Sequence, residues 1–148
     1  MSDSSRENLL RAMLQRETRS FIQYAQEAQP WASHSDQEQL ATVQSMLSAE
    51  KMLLGDITQS LRNERLPLPL PGSFPMQFTT KNFLGLDHLA PLIIAEEERL
   101  IRALEADLDS LPEDPVREQV ESLLKLKQEN LAKLHSLFTE APEPAVQE

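Results

Sequence analysis

The sequence has no cysteine, only 3 glycines in 148 residues, and few aromatic side chains (5%). Without cysteine there is no disulfide framework, no thiolate metal site and no thiol nucleophile. So little glycine leaves no phosphate-cradling loop, and no serine sits in a Gly-x-Ser-x-Gly elbow. Period-two alternation of Val, Ile, Thr and aromatics is missing, so no strand of any length is expected. The longest uncharged apolar stretch in a helical region, Leu89 to Ala95, falls far short of the ~20 residues needed to cross a bilayer. Basic residues are also scarce, 14 against 24 acidic ones. A net charge of −10 argues against nucleic acid or an anionic membrane as partner. The opening MSDSSRENLL has neither the basic start nor the apolar core of a secretion signal, so a cytoplasmic location is expected.

What the chain does have is Leu, Ala, Glu, Gln and Lys at helical spacing, and the expected class is all-α, a single four-helix bundle over residues 1–138. The first helix is expected at about 5–28, opened by a capping box of Ser4 and Glu7 and closed by Pro30. Its stripe is Leu10, Met13 or Leu14, Glu17, Phe21, Tyr24, Ala28. The second, at about 36–63, opens with Ser35 and Glu38 and reads Leu40, Val43, Leu47, Glu50, Leu54, Ile57, Leu61. The third, at about 86–110, reads Leu86, Ala90, Ile93, Glu97, Leu100, Leu104, Leu111, with Pro91 near its first turn or else bending it. The fourth, at about 115–138, opens at Asp114-Pro115 and reads Val116, Val120, Leu123, Lys127, Asn130, Leu134, Leu137. Residues 139–148 are proline-rich and polar and are expected to form a flexible tail.

The connections suggest a topology. Short turns make the first two helices antiparallel neighbours, and likewise the last two. The crossover, about 64–81, carries prolines 67, 69, 71 and 75. A helix of ~26 residues is ~39 Å long, and an extended chain covers that in about 12 residues. The crossover can therefore return along the bundle, and Phe74 and Phe78, with Phe83 just beyond, suggest that it lies against it. Trp31, in the first turn, is expected to plug the end of the core.

Each stripe is interrupted near its middle by polar residues: Glu17, Glu50, Glu97, and the pair Lys127 and Asn130. Glu17 to Glu50 and Glu97 to Asn130 are both separations of 33 residues across a helix–turn–helix, so the interruptions fall at similar heights. An ionised carboxylate in an apolar interior costs several kcal/mol unless it is paired or bound to a cation. A shared layer of Glu17, Tyr24, Glu50, Glu97, Lys127 and Asn130 is the expectation. One lysine cannot neutralise three glutamates, so at least one carboxyl should have a raised pKa, reach water, or hydrogen-bond Tyr24 or Asn130. The simpler reading of each residue is a flank position with its charge in water.

Two helical hairpins, a long crossover and inward glutamates at mid-height resemble the ferritin-like superfamily of carboxylate-bridged dimetal proteins, and rubrerythrins in particular. That family has a metal-binding Glu followed seven residues later by Tyr, matched by Glu17 and Tyr24 in RETRSFIQY. It has a Glu-x-x-His on the second helix, matched by Glu50 but with Leu53 in place of His. A further Glu on the third helix is matched by Glu97. The fourth helix carries a second Glu-x-x-His, and here Lys127 and Asn130 stand at both positions. The layout and the PLPLPGSFP stretch followed by FTTKNFLGLDHLAPL are also similar to uncharacterised bacterial ferritin-like bundles. Glu-x-x-His built on His34, His88 or His135 would need Glu where Trp31, Gly85 and Ala132 stand.

The resemblance therefore implies the fold and a degenerate dimetal site without a competent di-iron centre, with Lys127 doing electrostatically what a metal would do. The expectation is a structural or interaction protein with no cofactor, a homodimer or a partner of another protein. Met46, Leu53, Leu92, Ile94, Ile101 and Leu108 outside the stripes suggest a second buried face for the homodimer. The alternative is a metal-binding or oxidase-like protein using Glu17, Glu50 and Glu97 for a divalent metal such as Mn or Mg. A carrier of small molecules has no sequence signal of its own.

Overall fold

The computed structural model describes residues 3–28, 37–68, 75, 86–111 and 113–138. Within them the chain is all-α: α1 (Asp3–Thr18), α2 (Phe21–Ala28), α3 (Gln37–Asn63), α4 (Leu86–Asp109) and α5 (Arg117–Phe138). Trp31, His34, Phe74, Phe78, Phe83, most of the crossover and the tail lie outside the described residues.

The first helix differs from expectation: it is broken at Arg19 and Ser20, and Ser4 lies inside α1, which begins at Asp3. Local hydroxyls account for the break. Thr18 Oγ1 donates to the Leu14 carbonyl at 2.8 Å, and Ser20 Oγ donates to the Glu17 carbonyl at 2.9 Å. Ser and Thr offer the backbone such alternatives to a continuous ladder. Ser20 then caps α2, its Oγ accepting the Gln23 N–H at 3.2 Å, which is the N-cap to N3 bond of a new helix. A further amide at this start, that of Phe21, donates to Glu96 Oε2 on α4 at 2.9 Å.

Two further ends are closed locally. Arg65 takes φ 62°, and the Leu66 N–H reaches the Leu61 carbonyl at 3.1 Å while the Arg65 N–H reaches that of Arg62 at 2.9 Å. That pair of bonds is a Schellman closure of α3, with Leu66 buried behind it. Asp114 Oδ1 accepts the Val116 N–H at 3.0 Å, so α5 is entered through a turn at Pro115 and Val116 and begins at Arg117. Pro91 lies inside α4, where it removes one ladder donor.

Helices α1 and α2 pack against α3 and α4, and α5 packs against the same two. Along α3 and α5 the paired groups run Gln39 with Leu137, Met46 with Asn130, Glu50 with Lys127, and Asp56 with Gln119. Arg6, near the start of α1, joins Glu64 just past α3 to Asp114 just before α5. Two apolar clusters form the core. One gathers Leu10, Leu14, Ile57, Leu61, Leu104, Val120 and Leu123. The other gathers Phe21, Ile22, Val43, Leu47, Ile93, Leu100 and Leu134. On α1, α3 and α5 the residue at the junction of the two clusters is charged, and those residues meet.

The stripes deviate in detail. On α3 the expected Val43, Leu47, Glu50, Leu54, Ile57 and Leu61 are buried and Leu40 is only half-buried, while Met46, outside the expected stripe, is buried too. Ile94, Ile101 and Leu108 are buried within this single chain as well, and Leu53 is half-buried. Among the described residues no helix is long and apolar enough to cross a membrane.

Candidate functional site: a four-helix ionic layer

Among the described residues Lys127 on α5 is the largest fully buried side chain, and its ammonium lies among three carboxylates from three other helices. Nζ is 2.7 Å from Glu50 Oε1 on α3, 3.1 Å from Glu97 Oε1 on α4 and 3.3 Å from Glu17 Oε1 on α1. None of these four residues is more than 2% exposed. An ammonium has three N–H bonds, and three acceptors surround it.

The outer oxygens differ in how they are served. Glu50 Oε2 accepts Asn130 Nδ2 at 2.8 Å, and the same nitrogen donates to the Met46 carbonyl at 3.1 Å. Glu17 Oε2 accepts Arg16 Nη2 at 3.3 Å, and that nitrogen donates to Asp107 on α4 at 2.7 Å. Glu97 Oε2 is buried and has no hydrogen-bond partner; Arg16 Nε is likewise buried and unpartnered.

Electrostatics follow from that geometry. Burial alone would lower the Lys127 ammonium, but the carboxylates of Glu17, Glu50 and Glu97 raise it well above the ordinary lysine value, so it stays charged. Burial raises Glu17, against the opposing pull of Lys127 and Arg16. Burial, and then the Glu50 carboxylate beside it, push Glu97 up to about 10 in spite of Lys127. Its neighbour Glu96 goes the other way. Burial would raise it, but the Arg99 guanidinium and the Phe21 amide outweigh that and hold it below the usual range.

Of the six residues expected in the layer, Glu17, Glu50, Glu97, Lys127 and Asn130 are buried. Tyr24 is half-buried, with its ring stacked on Phe21 at a centroid distance of 6.1 Å. Arg16, Asp107 and Ser20 were not expected. Arg16 stands beside Glu17 in sequence, the one signal that could have drawn attention to it. His88 is exposed on α4, and His135 Nε2 on α5 lies 3.8 Å from Glu98 Oε2.

A dimetal centre of the resembled kind needs imidazoles beside its carboxylates. The corresponding positions hold Leu53 and Asn130, and the ammonium occupies the point on which the carboxylates converge. Among the described residues no group of three or more His, Asp or Glu side chains is arranged to hold a metal ion. The residues present do not fit that centre. No protein-family model, curated protein or solved structure matches the chain.

Proposed function

We propose that this protein is a ferritin-like bundle in which a lysine ammonium replaces the dimetal centre, and that it acts as a structural or interaction protein. The observation that carries the reading is the Lys127 nitrogen within 3.3 Å of Glu17, Glu50 and Glu97. The ordered pairs along α3 and α5, the meeting of Arg6 with Glu64, and those of Arg117 with the Leu108 carbonyl and Lys127 with Glu97 support two antiparallel hairpins. In that layout α3 and α4 run parallel at opposite corners, and Lys127 reaches across the core to Glu17.

Metal loading tests the replacement. Elemental analysis after purification without chelator should find no stoichiometric metal in the wild type. Lys127→Glu with Asn130→His and Leu53→His rebuilds the resembled ligand set and should acquire stoichiometric Co(II), followed by visible absorption. Stoichiometric metal in the wild type, lost in Glu50→Ala, would support instead a carboxylate metal site of Glu17, Glu50 and Glu97.

The homodimer is the more exposed part of the proposal. Four of the six residues that suggested it (Met46, Ile94, Ile101, Leu108) are buried within the chain, Leu53 is half-buried and Leu92 is 37% exposed; Met52, outside that set, is 73% exposed. Light scattering decides it: a dimer mass supports self-association, and a monomer at micromolar concentration leaves only a different protein as partner.

A further inference from the structure

The layer contains more negative charge than its cations can balance. Facing Glu97 are Lys127 from α5, Glu50 from α3 and, across the ammonium, Glu17 from α1 with Arg16 at its rim. Asn130 on α5 adds hydrogen bonds but no charge. On α4 itself, Glu96 is turned to Arg99 and the Phe21 amide, and Glu98 lies toward His135. On α2, Tyr24 is half-buried against Phe21. Three carboxylates meet two cations, and Arg16 is shared with Asp107.

The deficit has a location. Glu50 Oε2 and Glu17 Oε2 each receive a donor, whereas Glu97 Oε2 receives none and Glu97 is 0% exposed. A charged carboxylate oxygen buried without a donor loses its full hydration, a cost larger than that of any neutral unpaired group. A proton bonded to that oxygen removes the charge and leaves two buried carboxylates, Glu50 and Glu17, facing two cations, Lys127 and Arg16, the latter also bound to the part-exposed Asp107 at the rim. We propose that the interior of this bundle is a one-proton site: Glu97 holds a proton at neutral pH that balances the layer, and its release as pH rises destabilises the bundle there.

The inference rests on side-chain geometry and is independent of the ferritin-like reading. The direction of the effect follows by linkage. An unfolded glutamate titrates at the ordinary 4.5, and the folded one only near 10, so between those values the folded chain carries one extra proton. The stabilising contribution is complete below the ordinary value and is lost as pH rises through the folded one. The folding equilibrium constant falls about tenfold per pH unit across that window from this group alone.

Unfolding the protein by urea in weak buffer at pH 7, with a pH indicator, should therefore release one more proton from wild type than from Glu97→Gln. Between pH 6 and 8 the wild-type folding constant should fall by about a hundredfold relative to the variant. Equal proton release and parallel pH profiles would overturn the proposal. If Glu97→Gln does not fold, the wild type decides alone. Its infrared spectrum at pH 7 should carry the C=O stretch of a protonated carboxylic acid, and absence of that band overturns the assignment.

Discussion

Replacing Lys127 by Met is the most demanding perturbation of the layer, because methionine keeps the length and apolar stem and removes only the ammonium. Nζ makes close contacts of 2.7, 3.1 and 3.3 Å with three buried carboxylates. Removing one partner of a buried pair typically costs about 3–5 kcal/mol. The layer has a way to limit that cost, which is to take up one further proton. At pH 7, forcing a proton onto a carboxyl that titrates at the ordinary 4.5 when unfolded costs about 3.4 kcal/mol at about 1.36 kcal/mol per unit. The variant should therefore lose about 4 kcal/mol at pH 7 and only about 1 kcal/mol near pH 5, where protonation is nearly free. For a small domain with a total of 5–15 kcal/mol, the larger loss approaches unfolding. Urea denaturation followed by far-ultraviolet circular dichroism at both pH values gives the comparison. A loss below 1 kcal/mol at pH 7, or one that does not shrink on acidification, refutes the account of the layer.

Two further substitutions probe other features. Asn130→Leu leaves the Met46 carbonyl and Glu50 Oε2 without their shared donor, and should cost about 2–3 kcal/mol by the same denaturation measurement. Arg65→Gly, at an exposed left-handed position with φ 62°, should stabilise the chain by about 0.5–1 kcal/mol and raise its Tm.

Much of the layer was legible because a buried charge interrupts a stripe visibly. Glu50 falls at its turn between Leu47 and Leu54, Glu97 between Ile93 and Leu100, and Lys127 between Leu123 and Leu134, and all three are buried. Equal spacing across each helical turn set the level, since rise per residue is constant in a helix. The break at Arg19 and Ser20 was not legible. Thr18 and Ser20 are tolerated inside helices, and here their local hydroxyl bonds interrupt the ladder while the Phe21 amide finds an acceptor in the Glu96 carboxylate of α4. Only the fold brings residues 75 apart together. For the same reason Arg16 was missed, because its value lies in Asp107 across the interface.

The ammonium of Lys127 has an axial consequence. Aliphatic layers attract without direction, so leucines on neighbouring rods tolerate slippage along their length. Hydrogen bonds do not, and sliding α1, α3 or α4 by one turn would carry its carboxylate about 5.4 Å from the nitrogen. One atom thus indexes three helices to the fourth, in the way a single polar pair sets the stagger of a coiled coil. The hydrocarbon layers above and below that nitrogen add cohesion without fixing the stagger.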